Sequence, residues 1–391
     1  MGGLESQAGR DARQPGRFPC FDGLRALAAT MVLLVHASII TGAIDSNRAG
    51  EFLARTDSGV VLFFLISGFL LYRPYVIDHL GGRPALPVAS FWRRRVLRIF
   101  PAYWVALFLI VYVLHQKTLH GPGDIVMFFG LLQIYDPHRV LGGLTQAWSL
   151  CTEIAFYLSL PLYAWVIGRG DRGSGQLRRE WIGVAVLFAA SLGFRFGIRA
   201  GDIDPFVRNS LPAWLDMFAL GMALAVASVG LERMGRGRRA IDAIGRHPAL
   251  CWMGAALTFV IVSTQFNLPR HAAVLKASQD FGEHYLYGLM SLLLILPAVF
   301  GPQGQGLVRR VLQNRAVVAV GVVSYGVYLW HIAIMVQLNQ WFGGLHGVMP
   351  FVALAVLGLG ATYLVALASY VLVEKPALKL KGDPTPAPAR G

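Results

Sequence analysis

Arg25 and His36 stand eleven residues apart inside one apolar stretch, FDGLRALAATMVLLVHASIITG. At 100° per residue that spacing is three turns and about 20°, so a helix carries both side chains on one face. Their separation along the axis is about 16 Å. An imidazole deep in an apolar segment is costly and is a functional candidate by default. A histidine takes a proton from a hydroxyl, and an arginine nearer the surface holds an anion. The pair points to chemistry inside a membrane on a molecule charged at one end.

Three further ionisable groups fall inside apolar stretches: Glu153, Asp216 and His331. Counted from the outer ends of their segments, they and His36 lie at similar depths, about 9–12 Å. A carboxylate beside a histidine fixes its tautomer, and Glu153 or Asp216 is the carboxylate for that work. The plainer reading is a polar network that ties helices together. A second constellation, SFWRRRVLRIFPAYW (90–104), puts Arg95 and Arg98 three apart on one helix face. With Arg25 and Arg73 they make a basic vestibule suited to phosphate. The competing reading is an ordinary basic flank at the lipid heads. Ser67, in FFLISGFLLYRP, has no GxSxG elbow and reads as a packing residue.

These residues need helices across a bilayer to hold them. The chain has 391 residues, is 55% hydrophobic and only 14% charged, with mean hydropathy +0.54. That composition specifies an all-α polytopic membrane protein. Ten stretches approach the roughly 20 residues a span requires: 22–42, 58–78, 99–116, 147–168, 180–199, 210–229, 249–266, 284–300, 316–339 and 348–373. IVMFFGLLQIY (125–135) is too short to cross and reads as re-entrant or interfacial. With both termini in the cytoplasm, most of the 35 basic residues fall on the cytoplasmic side. The net charge of +14 is thus a topology signal, not a nucleic-acid footprint. The expected organisation is a cytoplasmic tail (1–20), a membrane domain (21–376) and a second cytoplasmic tail (377–391). The three cysteines cannot pair in this topology, and no metal motif occurs.

Seven motifs occur in an order that resembles the acyltransferase family 3 membrane proteins. They are FDGLRALAATMVLLVHA, FFLISGFLLYRP, FWRRRVLRIFPAYW, QAWSLCTEIAFYLSLPL, LPAWLDMFALGM, VVSYGVYLWHI and VEKP. The resemblance covers about 21 to 376. It implies a ten-helix fold in the cell membrane, without a fused extracytoplasmic hydrolase-like domain. It implies transfer of an acyl group, commonly acetyl from acetyl-CoA, to a hydroxyl of a glycan, glycolipid or secreted metabolite such as a macrolide. It marks Arg25 and His36 as the functional pair, Arg95 and Arg98 as donor-binding arginines, and Glu153 as the acid of the WSLxxE motif. Val61 stands where many relatives carry an acid. The carboxylate that supports His36 must then come from Glu153 or Asp216, or the assist is absent. His36 acts as general base or, on a competing route, as an acyl-accepting nucleophile. The alternative function is a multi-span exporter, although neither an internal repeat nor paired broken helices are evident. A non-catalytic scaffold leaves His36 and Glu153 without a role.

Overall fold

The computed structural model describes residues 18–169, 175–234, 243–271, 273–344 and 346–381. Most of both expected tails lies outside the described residues. Among those described, the regular elements are all helical. In chain order the first helices are α1 (Phe21–Ile40), α2 (Asn47–Ala54), α3 (Gly59–His79), α4 (Val88–Phe108), α5 (Pro122–Phe129) and α6 (Trp148–Ile167). Then come α7 (Gln176–Ala200), α8 (Leu211–Met234), α9 (Pro248–Thr264), α10 (Ala277–Val299) and α11 (Leu307–Leu312). The chain closes with α12 (Arg315–Val322), α13 (Ser324–Trp341), α14 (Val348–Ser369) and α15 (Lys375–Lys379).

Among the described residues, eight helical segments are long and apolar enough to cross a membrane; they contain α1, α3, α4, α6, α7, α8, α10 and α14. The expected span 316–339 is broken. Helices α12 and α13 meet at Val323 with a bend of 76° and make a ninth crossing only if taken together. The expected span 249–266 is α9, which has 17 residues. At 1.5 Å per residue it is about 26 Å long, a few ångström under a typical hydrocarbon core. Segment 125–135 does not cross: α5 has eight residues and is followed by a single tight turn at Gln133–Tyr135. It is moored to α4, whose Tyr103 hydroxyl donates to the Phe128 carbonyl (2.6 Å) and whose Trp104 indole donates to that of Phe129 (2.9 Å).

The basic stretch is not a loop before the third span. Pro87 precedes the helix, its carbonyl accepts the Phe91 N–H (2.9 Å), and α4 runs through all four arginines before reaching apolar sequence. Arg95 and Arg98 therefore keep helical spacing and point where α4 directs them.

Close backbone contact sets how the spans pack. A Cβ at Gly68 of α3 would meet the Phe218 carbonyl oxygen of α8 at 2.2 Å. One at Gly221 of α8 would meet that of Leu65 on α3 at 2.1 Å. The two helices touch through reciprocal glycines, the small-residue contact that brings apolar helices close without a hydrophobic driving force. Above this seam, Phe64 of α3 stacks on Phe218 of α8 (4.7 Å between centroids), and Phe218 stacks on Phe156 of α6 (4.2 Å). The aromatic column fixes α3 against α6, and so Ser67 against Glu153.

Candidate active site

A cavity of about 320 Å³ opens between α1, α3, α4, α6 and α13. Arg25 enters it from α1, Arg95 and Arg98 from α4, Glu153 and Tyr157 from α6, and Ser67 from α3. The start of α13 supplies Ser324, Tyr325 and Tyr328. Residues as much as 300 positions apart in the chain are thus brought to one space. Arg25 Nη1 donates to Asp22 one turn earlier (2.8 Å), which orients its guanidinium. Arg95 lies 6.0 Å from the Phe91 ring. Among the described residues neither Arg95 nor Arg98 has an ion-pair partner, and the Arg95 Nε is buried without an acceptor. Three guanidiniums against one carboxylate give the cavity the chemistry to hold an anion such as phosphate.

Glu153 accepts hydrogen bonds from Ser67 Oγ (2.9 Å) and from Tyr157 OH (3.1 Å). Tyr157 is four residues on, so one helix face carries both ends of the second bond. The carboxylate bridges α6 to α3 on the arginine-lined wall. His36 is not among its hydrogen-bond partners.

His36 pairs with His331 instead. The rings stand 4.9 Å apart, edge to face, with His331 Nε2 3.2 Å from His36 Nδ1. The acceptors decide where the protons sit. His331 Nδ1 lies 2.8 Å from the Tyr328 carbonyl, which can only accept, so Nδ1 carries the hydrogen. In a neutral ring its Nε2 is then an acceptor. His36 Nδ1 likewise faces a carbonyl, that of Val32 at 2.8 Å. Its hydrogen serves both Val32 and His331, and the lone pair of His36 is left on Nε2. That is the tautomer a general base needs. Tyr328 joins the pair to the cavity: it lines the cavity, and its ring lies 5.9 Å from that of His331.

The common depth of four ionisable groups therefore resolves into three separate clusters. Asp216 is fully buried and accepts from His284 Nε2 (2.8 Å), beside Trp214. It is not among the cavity-lining residues, and neither is Arg73, whose Nε donates to Ser228 Oγ (3.2 Å) with its guanidinium 5.1 Å from the Phe18 ring. Sequence reasoning missed His284, Tyr157, Ser324 and Tyr328. The i+4 spacing of Tyr157 from Glu153 was a usable signal; His284 lies 68 residues from its partner and gave none.

Comparison with known proteins fits this geometry. Residues 18–371 match a family described as an acyltransferase domain. Acyltransferase MdmB of Streptomyces mycarofaciens is 26% identical over 95% of this chain and 94% of its own length. Nodulation protein 10 of Rhizobium leguminosarum bv. viciae is 26% identical over 92% and 93%. Peptidoglycan O-acetyltransferase OatA of Listeria monocytogenes is 24% identical over 92% of this chain, which spans 56% of that protein. No solved structure matches. With a match across nearly the whole chain and a bundle of membrane-length helices, this protein belongs to acyltransferase family 3 and is a multi-pass membrane O-acyltransferase.

Proposed function

We propose that this enzyme moves an acetyl group from acetyl-CoA, or a closely related acyl-CoA, to a hydroxyl of a glycan, glycolipid or secreted natural product at the cell membrane. The observation that carries this reading is the convergence of Arg25, Arg95 and Arg98 on one cavity, beyond which His36 holds a free Nε2. The arginines bind the phosphates of the donor. Its flexible arm extends past Tyr328 toward the histidines, and the axial distance from Arg25 to His36, about 16 Å, suits an arm of that kind. Both termini are cytoplasmic in this scheme, so the donor enters from inside and the acceptor from the other side.

In the chemical step, His36 Nε2 removes the proton of the acceptor hydroxyl. The oxygen attacks the thioester carbonyl carbon, a C–O bond forms, the C–S bond breaks, and the proton on His36 passes to the departing thiolate. His331 positions His36 by receiving its Nδ1–H. Glu153 shapes the donor cavity through Ser67 and Tyr157. The name of the Listeria relative supports a glycan acceptor.

The test is acetyl transfer from labelled acetyl-CoA by purified protein. His36→Ala must abolish transfer while the protein still inserts and binds CoA. Transfer at wild-type rate by that variant refutes the assignment, and trapped acetyl-protein in single turnover replaces the general-base route with an acyl-histidine.

A further inference from the structure

A second cavity, of about 160 Å³, adjoins the first. The two share Leu70, Leu71 and Arg95 as a common wall. Beyond that wall the second is formed by the last turns of α3, the segment before α4 and the start of α4, with Tyr75, Leu86, Phe91 and Arg94 as its principal sides. Helix α3 runs opposite to α1, so this cavity lies on the far side of the arginines from His36.

Its lining is unusual for plain packing. The Tyr75 side chain is 8% exposed, yet its hydroxyl is buried with no hydrogen-bond partner. The Nε of Arg94 and that of Arg95 are in the same state. A buried polar atom left unpaired costs about 1–3 kcal/mol, and three around one cavity call for a ligand that satisfies them. The walls are flat and apolar: the Tyr75 and Phe91 rings stand 6.1 Å apart at 60°, with Leu70, Leu71 and Leu86 around them. An apolar cavity of about 150 Å³ binds benzene, so a space of this size with flat walls suits a planar aromatic group rather than a long chain. A lipid tail fits the leucines but leaves the tyrosine hydroxyl and both guanidinium nitrogens unpaired.

We infer that this second cavity holds the purine of the donor's nucleotide end, with Phe91 and Tyr75 against its face and edge and Arg94 at a phosphate on its ribose. The inference rests on acyl-CoA as donor. Arg95, common to both cavities, then stands between base and diphosphate, and the donor lies bent around it. A planar base needs π-faces and a polar edge contact, and the Tyr75 hydroxyl is the free edge contact.

Equilibrium binding to the purified full-length protein separates this from the donor reading itself. Two probes are used: CoA, and 4′-phosphopantetheine, which lacks the nucleotide. Wild-type protein binds CoA more tightly than 4′-phosphopantetheine. Phe91→Ala weakens CoA about tenfold, the loss of one stacked base, and leaves 4′-phosphopantetheine unchanged, which also shows that the variant is folded. Tyr75→Phe acts in the same direction to a smaller extent, and Leu86→Trp, which fills the cavity, removes the preference for CoA. Equal weakening of both probes, or of neither, overturns the purine site while the donor reading stands. Wild-type protein that binds neither probe overturns the donor reading and this site with it.

Discussion

His331 Nε2 lies 3.2 Å from Nδ1 of His36, so the proposed base stands against a second imidazole and not a carboxylate. Val61 occupies the position from which an acid was expected, and Glu153 is engaged by Ser67 and Tyr157. A neutral acceptor fixes the tautomer without placing a second charge in the bilayer, where a lone carboxylate is expensive. His331→Ala leaves the Val32 carbonyl to hold the His36 Nδ1–H, so it lowers kcat about tenfold, against the 100-fold or greater loss from His36→Ala. The KM for donor stays constant in both. Steady-state kinetics on the two variants checks this; a His331→Ala enzyme as fast as wild type excludes the positioning role.

Arg95→Ala and Arg98→Ala each raise the KM for acetyl-CoA about tenfold with little change in kcat, as expected for one charge-assisted hydrogen bond to phosphate. Arg98→Lys recovers part of the loss, because a point charge replaces a two-pronged donor. Acetyl-pantetheine, which carries no phosphate, responds to neither substitution. A fall in kcat with unchanged KM would place these arginines at the reacting atoms instead.

The glycine seam between α3 and α8 gives a stability prediction. Gly68→Leu drives side-chain atoms into the Phe218 carbonyl and destabilises the protein by about 1–3 kcal/mol, the usual cost of overpacking. Gly360→Ala on α14, where an added Cβ meets nothing within 4 Å, is neutral or slightly stabilising. Thermal unfolding in detergent distinguishes them.

The segment around α5 is expected to loosen in acid. Arg139 donates to Asp124 (2.7 Å) and pairs with Asp136. That bond, with the His120 N–H, holds the Asp124 carboxyl below the ordinary carboxylate range. The His138 N–H, with Arg139, does the same for Asp136. A carboxylate depressed in the folded state stabilises it above the ordinary value, about 4, and that contribution disappears as the pH falls through the depressed value. Amide exchange in 120–139 therefore rises, after correction for intrinsic rates, between about pH 6 and pH 3. Arg139→Ala removes the pH dependence; equal protection at both values contradicts it.

How much of this was legible in the sequence depends on how local each signal is. Apolar length located the membrane segments, because a helix in lipid must satisfy its own backbone and span a fixed thickness. The Arg25–His36 and Arg95–Arg98 spacings survived intact, since helical periodicity alone sets them. The break at Val323 was not legible: no proline lies there, and Arg315–Trp341 taken as one segment is long and apolar enough to span. Depth counting failed for the same reason that it seemed to work. It places a residue along the membrane normal and says nothing of the helix face it occupies, so Glu153, Asp216 and His36, counted to one level, have separate neighbours. Their partners, Ser67, His284 and His331, are 68 to 295 residues away in the chain.

The reciprocal glycines of α3 and α8 have a mechanical consequence. Two helices in backbone contact cannot slide or part without losing the whole seam, so the wall that carries Ser67 is fixed. Helix α13, by contrast, is jointed at Val323 and bears Tyr328 and His331 on its first turns. A swing of α13 about Val323 is one movement that would widen the space between the arginines and His36. His331 would ride with that swing, so the movement that opens this space also breaks or restores the contact between the two imidazoles.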